Sequence, residues 1–262
     1  MKDRKLILKK DLINGFKNLG IRLGDVMIVH TALSSFGYVC GGAQVVIEAL
    51  MESVGKNGTI VMPTQSWKNL DPDKGVHWEV DEIYWQLIRE NWPAYDKCIT
   101  PSDNMGIVAE MFRTWPGVLR SEHPARSFAA WGLQAEQIVK EHELENIFGE
   151  NSPLHKIYQL DGKILLLGVD FDKCTSLHLA ESLAKCPKRY TTEHSAIMNN
   201  GIREWVSYDT LDVDDSDFLE LREQFEEENT IAREYIGNAE IKYFSQKKLV
   251  DFAIEWFEKN RK

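Results

Sequence analysis

Hydrophobic positions recur along the chain with two different periods, and the change from one to the other marks out the elements. In KKDLINGFKNLG, Leu12, Ile13, Phe16 and Leu19 share one face at helical spacing and Gly20 supplies a stop, which predicts an amphipathic first helix. VMIVH, residues 26 to 30, is apolar on both faces and reads as a strand. A loop with Gly37, Gly41 and Gly42 follows, then the helical AQVVIEALMESV, breaks at Gly55 and Gly58, and the strand TIVMP. Strands apolar on both faces are buried between helices, and a crossover helix between two of them makes them parallel. KILLLGV, residues 163 to 169, predicts a third such strand. QKKLVDFAIEWFEKN puts Leu249, Phe252, Ala253 and Trp256 on one face, a helix that docks on the core. The pattern predicts an α/β fold, a single compact domain over residues 1–262 with a mainly parallel central sheet flanked by helices.

Two stretches depart from these periods. Residues 67–98 carry Trp67, Trp78, Trp85 and Trp92 among Pro, Asp and Lys, which predicts a lid or insertion with the indoles as packing anchors. From Asp209 to Glu228 there are ten acids and a single Arg, with Phe218, Leu219, Leu221 and Phe225 on one side. The plain reading is a solvated helix face; the sharper one is a pad for a polyamine.

Composition narrows the function. With 43% hydrophobic and 27% charged residues among 262, the chain is neither disordered nor a small disulfide-stapled module. No apolar run approaches the roughly 20 residues of a membrane helix, and MKDRKLILKK lacks the long apolar centre of an export signal, so the expectation is a cytoplasmic protein without membrane contact. The 31 Lys+Arg against 41 Asp+Glu leave a net charge of −10, which disfavours nucleic acid and suits a small cationic partner. Cys40, Cys98, Cys174 and Cys186 form no CxxC pair, so neither a disulfide nor a metal is expected.

Three polar segments start where predicted strands end: His30-Thr31, Thr64-Gln65-Ser66, and Asp170 with Asp172. Ligands of open α/β sheets bind beyond the carboxyl ends of the strands, so these loops are expected to converge. Gly41 and Gly42 precede a helix whose free N–H groups would accept an anion, without the spacing of a dinucleotide fingerprint or a P-loop. In DFDKCTSLHLAESLA, Thr175 or Ser176 can cap a helix that carries His178 in its first turn and Glu181 three residues on. A helix N-terminus disfavours the imidazolium and a nearby carboxylate fixes the tautomer, which suits a general base. His123, ahead of a proline in SEHPARSF, either lines the cleft or satisfies a loop carbonyl. Cys174 is a candidate thiol nucleophile, with an inert buried thiol the preferred reading.

HTALSSFGYVCGGA, GTIVMPTQSW, MGIVAEMFRTWPGVLRSEHPARSFAAWG, FGENSPLHKIY and LDGKILLLGVDFDKCTSLHLAE, in that order, resemble the aminoglycoside 3-N-acetyltransferase family. The match runs from about Val26 to Glu181, with weaker similarity in DSDF and VDFAIEWF. The resemblance implies a fold distinct from the common acetyltransferase fold, and acetyl-coenzyme A-dependent acetylation of the 3-amino group of an aminoglycoside or related polyamine. It implies direct transfer with His178 as general base, oriented by Glu181 or Asp172. Coenzyme contacts would fall to His30, Ser34, Ser35, Gly37, Val39, Gly41, Gly42, Ala43 and Thr64, the last also steadying the oxyanion; acceptor contacts would fall to Gln65, His123 and Asp170. Where the family often has HSSLS, this chain has His30-Thr31-Ala32-Leu33-Ser34, and Cys174 stands where Asn is frequent. Those departures leave a second expectation, a coenzyme A-binding protein with lost or altered acceptor activity. A homodimer is compatible with either.

Overall fold

The computed structural model describes residues 5–262, and the apolar runs become strands with nearly the expected bounds. In chain order, β1 (Leu6–Ile7), α1 (Lys9–Asn18), β2 (Val26–Thr31), β3 (Tyr38–Val39), α2 (Gly42–Val54) and β4 (Thr59–Pro63) come first. Next are α3 (Trp85–Asn91), α4 (Gly106–Arg113), β5 (Leu119–Arg120), β6 (Phe128–Gly132), α5 (Ala135–Val139), α6 (Pro153–Gln159), β7 (Lys163–Leu167) and α7 (Ser176–Leu183). The chain closes with β8 (Tyr190–Asn199), β9 (Ile202–Leu211), α8 (Phe218–Glu228), β10 (Ala232–Ile236), β11 (Ala239–Ser245) and α9 (Gln246–Asn260).

The main sheet has seven strands in the order β10-β11-β7-β2-β4-β6-β5. Its centre is parallel, with β2 between β7 and β4, as the apolar runs predicted. The flanks correct the expectation of a mainly parallel sheet: β10–β11, β11–β7, β4–β6 and β5–β6 are all antiparallel, so the sheet is mixed. For β10–β11 the reason is local, since Gly237 and Asn238 alone join the two strands and a two-residue connection permits only antiparallel pairing.

Alternate side chains of the central strands feed two cores. Ile28, Val61, Ile164 and Leu166 pack with α5 to α9, whereas Met27, Val29, Ile60, Met62, Leu165 and Leu167 pack with α1, α2 and α4. On α1, Leu12 and Phe16 are buried as expected. On α9, Leu249, Ala253 and Trp256 dock on the core with Phe252 partly buried. On α8, Phe218, Leu221 and Phe225 are buried, but Leu219, expected beside them, faces solvent.

A separate antiparallel hairpin, β8–β9, stands off the main sheet. Asn200 and Gly201 turn it, both at positive φ, the geometry that selects Asn-Gly in two-residue hairpins. The Trp-rich segment packs against this hairpin: Arg203 donates to the Trp92 and Arg89 carbonyls, and the Tyr95 amide donates to Ala196. Only part of the packing role assigned to the indoles holds. Trp92 donates to Asn69 and meets His77 edge-on, but Trp78 is 85% exposed.

Gly132 closes β6 where no side chain fits. Its φ is +111°, and a Cβ there would lie 2.0 Å from the Gly58 carbonyl oxygen, against the β4 end it pairs. Gly132→Ala should therefore cost about 3 kcal/mol or more of stability, through strain and steric conflict together. Denaturant unfolding of the purified variant measures this, and a loss under about 1 kcal/mol would show that the strand end relaxes.

Candidate active site

The loops at the carboxyl ends of β2, β4 and β7 converge on one cavity of about 920 Å³. His30 to Ser34 line it from β2, Gln65 and Trp67 from β4, and Asp172 to Thr175 with His178 from β7 and α7; Thr191, Glu193 and Leu211 of the hairpin close the far side. The Trp-rich segment contributes Trp67, Leu70, Lys74 and Val76, so it forms a wall of the cavity.

His178 is the third residue of α7, and its Nδ1 lies 2.9 Å from Glu181 Oε2. A carboxylate only accepts, so Nδ1 carries the proton and Nε2 keeps its lone pair. Phe148 stacks on one face of the ring at 5.2 Å and Phe218 lies against it at 5.0 Å. Glu181 is itself held, because Oε1 accepts from the Asp214 amide at 3.0 Å and from Arg261 at 2.6 Å. Asp172 lines the cavity but pairs with Lys173 at 3.0 Å, so the carboxylate that meets the imidazole is Glu181.

His30 is 7% exposed on the cavity wall, and burial lowers its pKa to about 3, which keeps it neutral. Among the described residues, His30 Nε2, Thr31 Oγ1 and Thr175 Oγ1 are buried without a protein partner, and all three residues line the cavity. Such orphaned polar atoms are costly unless a ligand or water meets them. Of the two residues expected to cap α7, Thr175 or Ser176, Thr175 takes the N-cap position, but its side chain makes no capping bond.

Several expected contacts lie elsewhere. Thr64 is fully buried outside the cavity wall, and its Oγ1 donates to the Ser127 carbonyl and accepts from Arg120. His123, fully buried and outside the cavity wall, accepts at Nδ1 from the Ala125 and Arg126 amides and donates from Nε2 to the Leu144 carbonyl, so it secures a loop. Asp170 is the hub of ion pairs to Lys242 and Arg222 and also accepts from the Phe171 amide. Burial alone would raise its carboxyl, yet Lys242 and the Phe171 amide hold it below the usual range, as suits a structural anchor outside the cavity. Ser35 spends its hydroxyl on the Ala32 carbonyl at 2.6 Å. Val39 and Ala43 are buried in the core facing α1 and α2. Gly37, Gly41 and Gly42 lie outside the cavity wall, along the loop that leads from it into α2.

Other residues at the site were not singled out in the sequence. Arg126 pairs with Glu193 at 2.6 Å while lying over Trp67 at 5.2 Å, so this carboxylate of the hairpin wall is already neutralised. From the acidic stretch, which the sequence did single out as a solvated face or a polyamine pad, Asp212 and Asp215 line the cavity. The Asn-Gly turn was the signal for the hairpin, and Phe148 stands within the FGENSP motif.

A mixed α/β sheet thus carries at its strand ends a cavity whose wall includes His178, hydrogen-bonded to Glu181. The aminoglycoside 3-N-acetyltransferase profile matches residues 28–258, and the chain belongs to that family of acyltransferases. It is 41% identical to the SPbeta prophage-derived aminoglycoside N(3')-acetyltransferase-like protein YokD of Bacillus subtilis (strain 168), over 96% of this chain and 93% of that protein. It is 36% identical to aminoglycoside N(3)-acetyltransferase IX of Micromonospora chalcea, over 96% and 92%. The structure of AAC-IIIb, a binary complex with CoASH, superposes with a TM-score of 0.87 at 28% identity, covering 98% of each chain.

The buried histidines set an acid limit on the fold. The His123 and His142 rings lie tilted against each other, 4.8 Å between centres; burial lowers His142 to about 4, and burial, then His142 and Arg126, lowers His123 well below its ordinary value. Each group, with His30, binds its proton more readily unfolded, so its contribution is complete above about pH 6.5 and is lost as the pH falls toward the folded value. Melting temperature should fall steeply between about pH 6.5 and 4, and His142→Asn should flatten that fall. An equal slope in the variant would show that the histidines are not its source.

Proposed function

We propose that this acyltransferase moves an acetyl group from acetyl-coenzyme A to an amine of a small cationic acceptor, the 3-amino group of an aminoglycoside or a related polyamine. The observation that carries the reading is the His178–Glu181 pair, 2.9 Å apart, at the wall of a cavity large enough for two ligands. Acetyl-coenzyme A supplies an already activated thioester. The three orphaned atoms of His30, Thr31 and Thr175 suit the polar groups of an acylated arm, and Ser34 stands on the same wall. The loop through Gly41 and Gly42 to the head of α2 suits the anionic end of the coenzyme.

The acceptor ammonium loses one proton to solvent to become the free amine; as that nitrogen attacks the thioester carbonyl it loses a second, which His178 Nε2 takes while Glu181 holds Nδ1–H. The C–N bond forms, the C–S bond breaks, and the proton passes to the departing sulfur. Direct transfer is favoured because Cys174 is buried and its thiol is pushed up to about 12, leaving no thiolate to acylate at neutral pH. Asp212 and Asp215 on the cavity wall favour an acceptor that carries further ammonium groups. Free cysteines at all four positions accord with a cytoplasmic enzyme.

A thiol-release assay with acetyl-coenzyme A across a panel of aminoglycosides and simpler amines tests the reading. His178→Ala should lower turnover by about a hundredfold or more with coenzyme binding near normal by calorimetry, while Cys174→Ala keeps most activity. Wild-type turnover in folded His178→Ala would exclude this base. Acceptor affinity should also weaken as ionic strength rises, and equal affinity at low and high salt would remove the carboxylates from acceptor recognition.

A further inference from the structure

The structure leaves one strong ion pair at the site without a role in the scheme above. Arg261 lies beyond α9, yet its Nη1 is 2.6 Å from Glu181 Oε1, the oxygen that does not face His178. The rest of the guanidinium is fixed: Nε and Nη2 make a bidentate pair with Asp217 at 2.7 and 2.6 Å, Nη2 donates to the Asp214 carbonyl at 2.7 Å, and the Phe257 ring lies 4.0 Å beneath it. A chain of contacts therefore runs Asp217, Arg261, Glu181, His178. The Asp214–Asp217 segment of the acidic stretch, whose purpose the sequence left open, supplies much of the socket.

We propose that Arg261 is a positioning residue that sets the basicity of His178 through Glu181, holding the imidazole neutral into more acidic conditions than the His–Glu pair alone would allow. The inference rests on the reading of His178 as general base. A carboxylate that served the imidazole alone would stabilise the imidazolium and make the base less available in mild acid. By occupying Oε1 with a cation, the fold divides the charge of Glu181 between two partners while Oε2 still orients the ring. The geometry is built to persist, because burial works against the Arg261 charge while Asp217 and Glu181 more than offset it, and the guanidinium pKa is raised. A lysine could not make the same planar fork to Asp217 and also reach Glu181.

The other charges around His178 do not supply this effect. On α7 its partner is Glu181; the turn before α7 offers Asp172 and Lys173, which pair with each other. The segment between β9 and α8 offers Asp212, Asp214, Asp215 and Asp217, with the exposed Arg189 at 3.8 and 3.9 Å from Asp212 and Asp214, and Phe148 and Phe218 pack on the ring. Arg261 is the cation bonded to the His178–Glu181 pair among the described residues.

Two substitutions of opposite sign test the proposal. Arg261→Ala should move the acid limb of the kcat/KM profile to higher pH by about half to one unit, with Arg261→Lys recovering part of the displacement. Asp217→Asn leaves the Arg261 charge less compensated and should move the limb the other way. Ring ¹⁵N titration of His178 by NMR should show the same two displacements with no acceptor present. If no amine is ever acetylated but the ring displacements occur, the acetyl-transfer reading fails and the tuning stands. An unmoved His178 titration in folded Arg261→Ala overturns the proposal, because a residue that only anchored the chain would alter stability alone. Should Arg261→Ala not fold, Asp217→Asn decides, and a ring titration that stays put or moves upward overturns it.

Discussion

The central trio of strands must bury both faces, and the rest of the molecule is arranged around that demand. Met27, Ile28 and Val29 alternate between two cores, as do Ile164, Leu165, Leu166 and Leu167, so helices cover the sheet on each side. Polar side chains cannot leave such strands sideways without losing solvation, and the strand ends are where they emerge. The cavity at those ends follows from the same demand. His30 and Gln65 line it because they are polar positions at, or two residues beyond, the ends of apolar strands.

A buried cation maintains this arrangement on the β4 side. Arg120 is almost wholly enclosed and donates to the Thr64 carbonyl, to the Thr64, Ser66 and Ser127 hydroxyls and to the Thr100 carbonyl, with the Tyr95 ring beside it. Neutral oxygens alone meet it in these bonds, and burial lowers its pKa as the desolvation cost requires. The Thr64–Ser66 segment is thereby fixed from behind, so Gln65 and Trp67 can project into the cavity without being the groups that hold the loop. The hydroxyl of Thr64 looks catalytic in the sequence and is structural in the fold because Arg120 has claimed it.

What the sequence disclosed follows the range of the interactions concerned. Local periodicity disclosed α1, β2, α2, β4, β7 and α9, and a spacing of three residues on one helix disclosed the meeting of His178 with Glu181. Resemblance to a family added the order of motifs along the chain. Contacts between distant segments stayed hidden: Arg126 with Glu193, Arg261 with Glu181, and Asp170 with Lys242 join residues that no pattern links. For the same reason Asp170 and His123 read as ligand contacts, since a polar residue at a strand end or before a proline gives no sign of a partner 72 or 21 positions away. The antiparallel flanks were missed where alternation in AREYI and AEIKYFS is broken only by Gly237-Asn238.

The phenyl rings packed on His178 have a geometric consequence. With Phe148 stacked on the imidazole, Phe218 tilted against it and Nδ1 tied to Glu181, the ring is held in one orientation, and the lone pair of Nε2 lies in its plane. On the proposed mechanism an acceptor amine must align its N–H bond with that plane. For a molecule with several amines of similar reactivity, that mechanism selects the one modified by direction of approach, and regiochemistry becomes a property of how two phenylalanines orient a third ring.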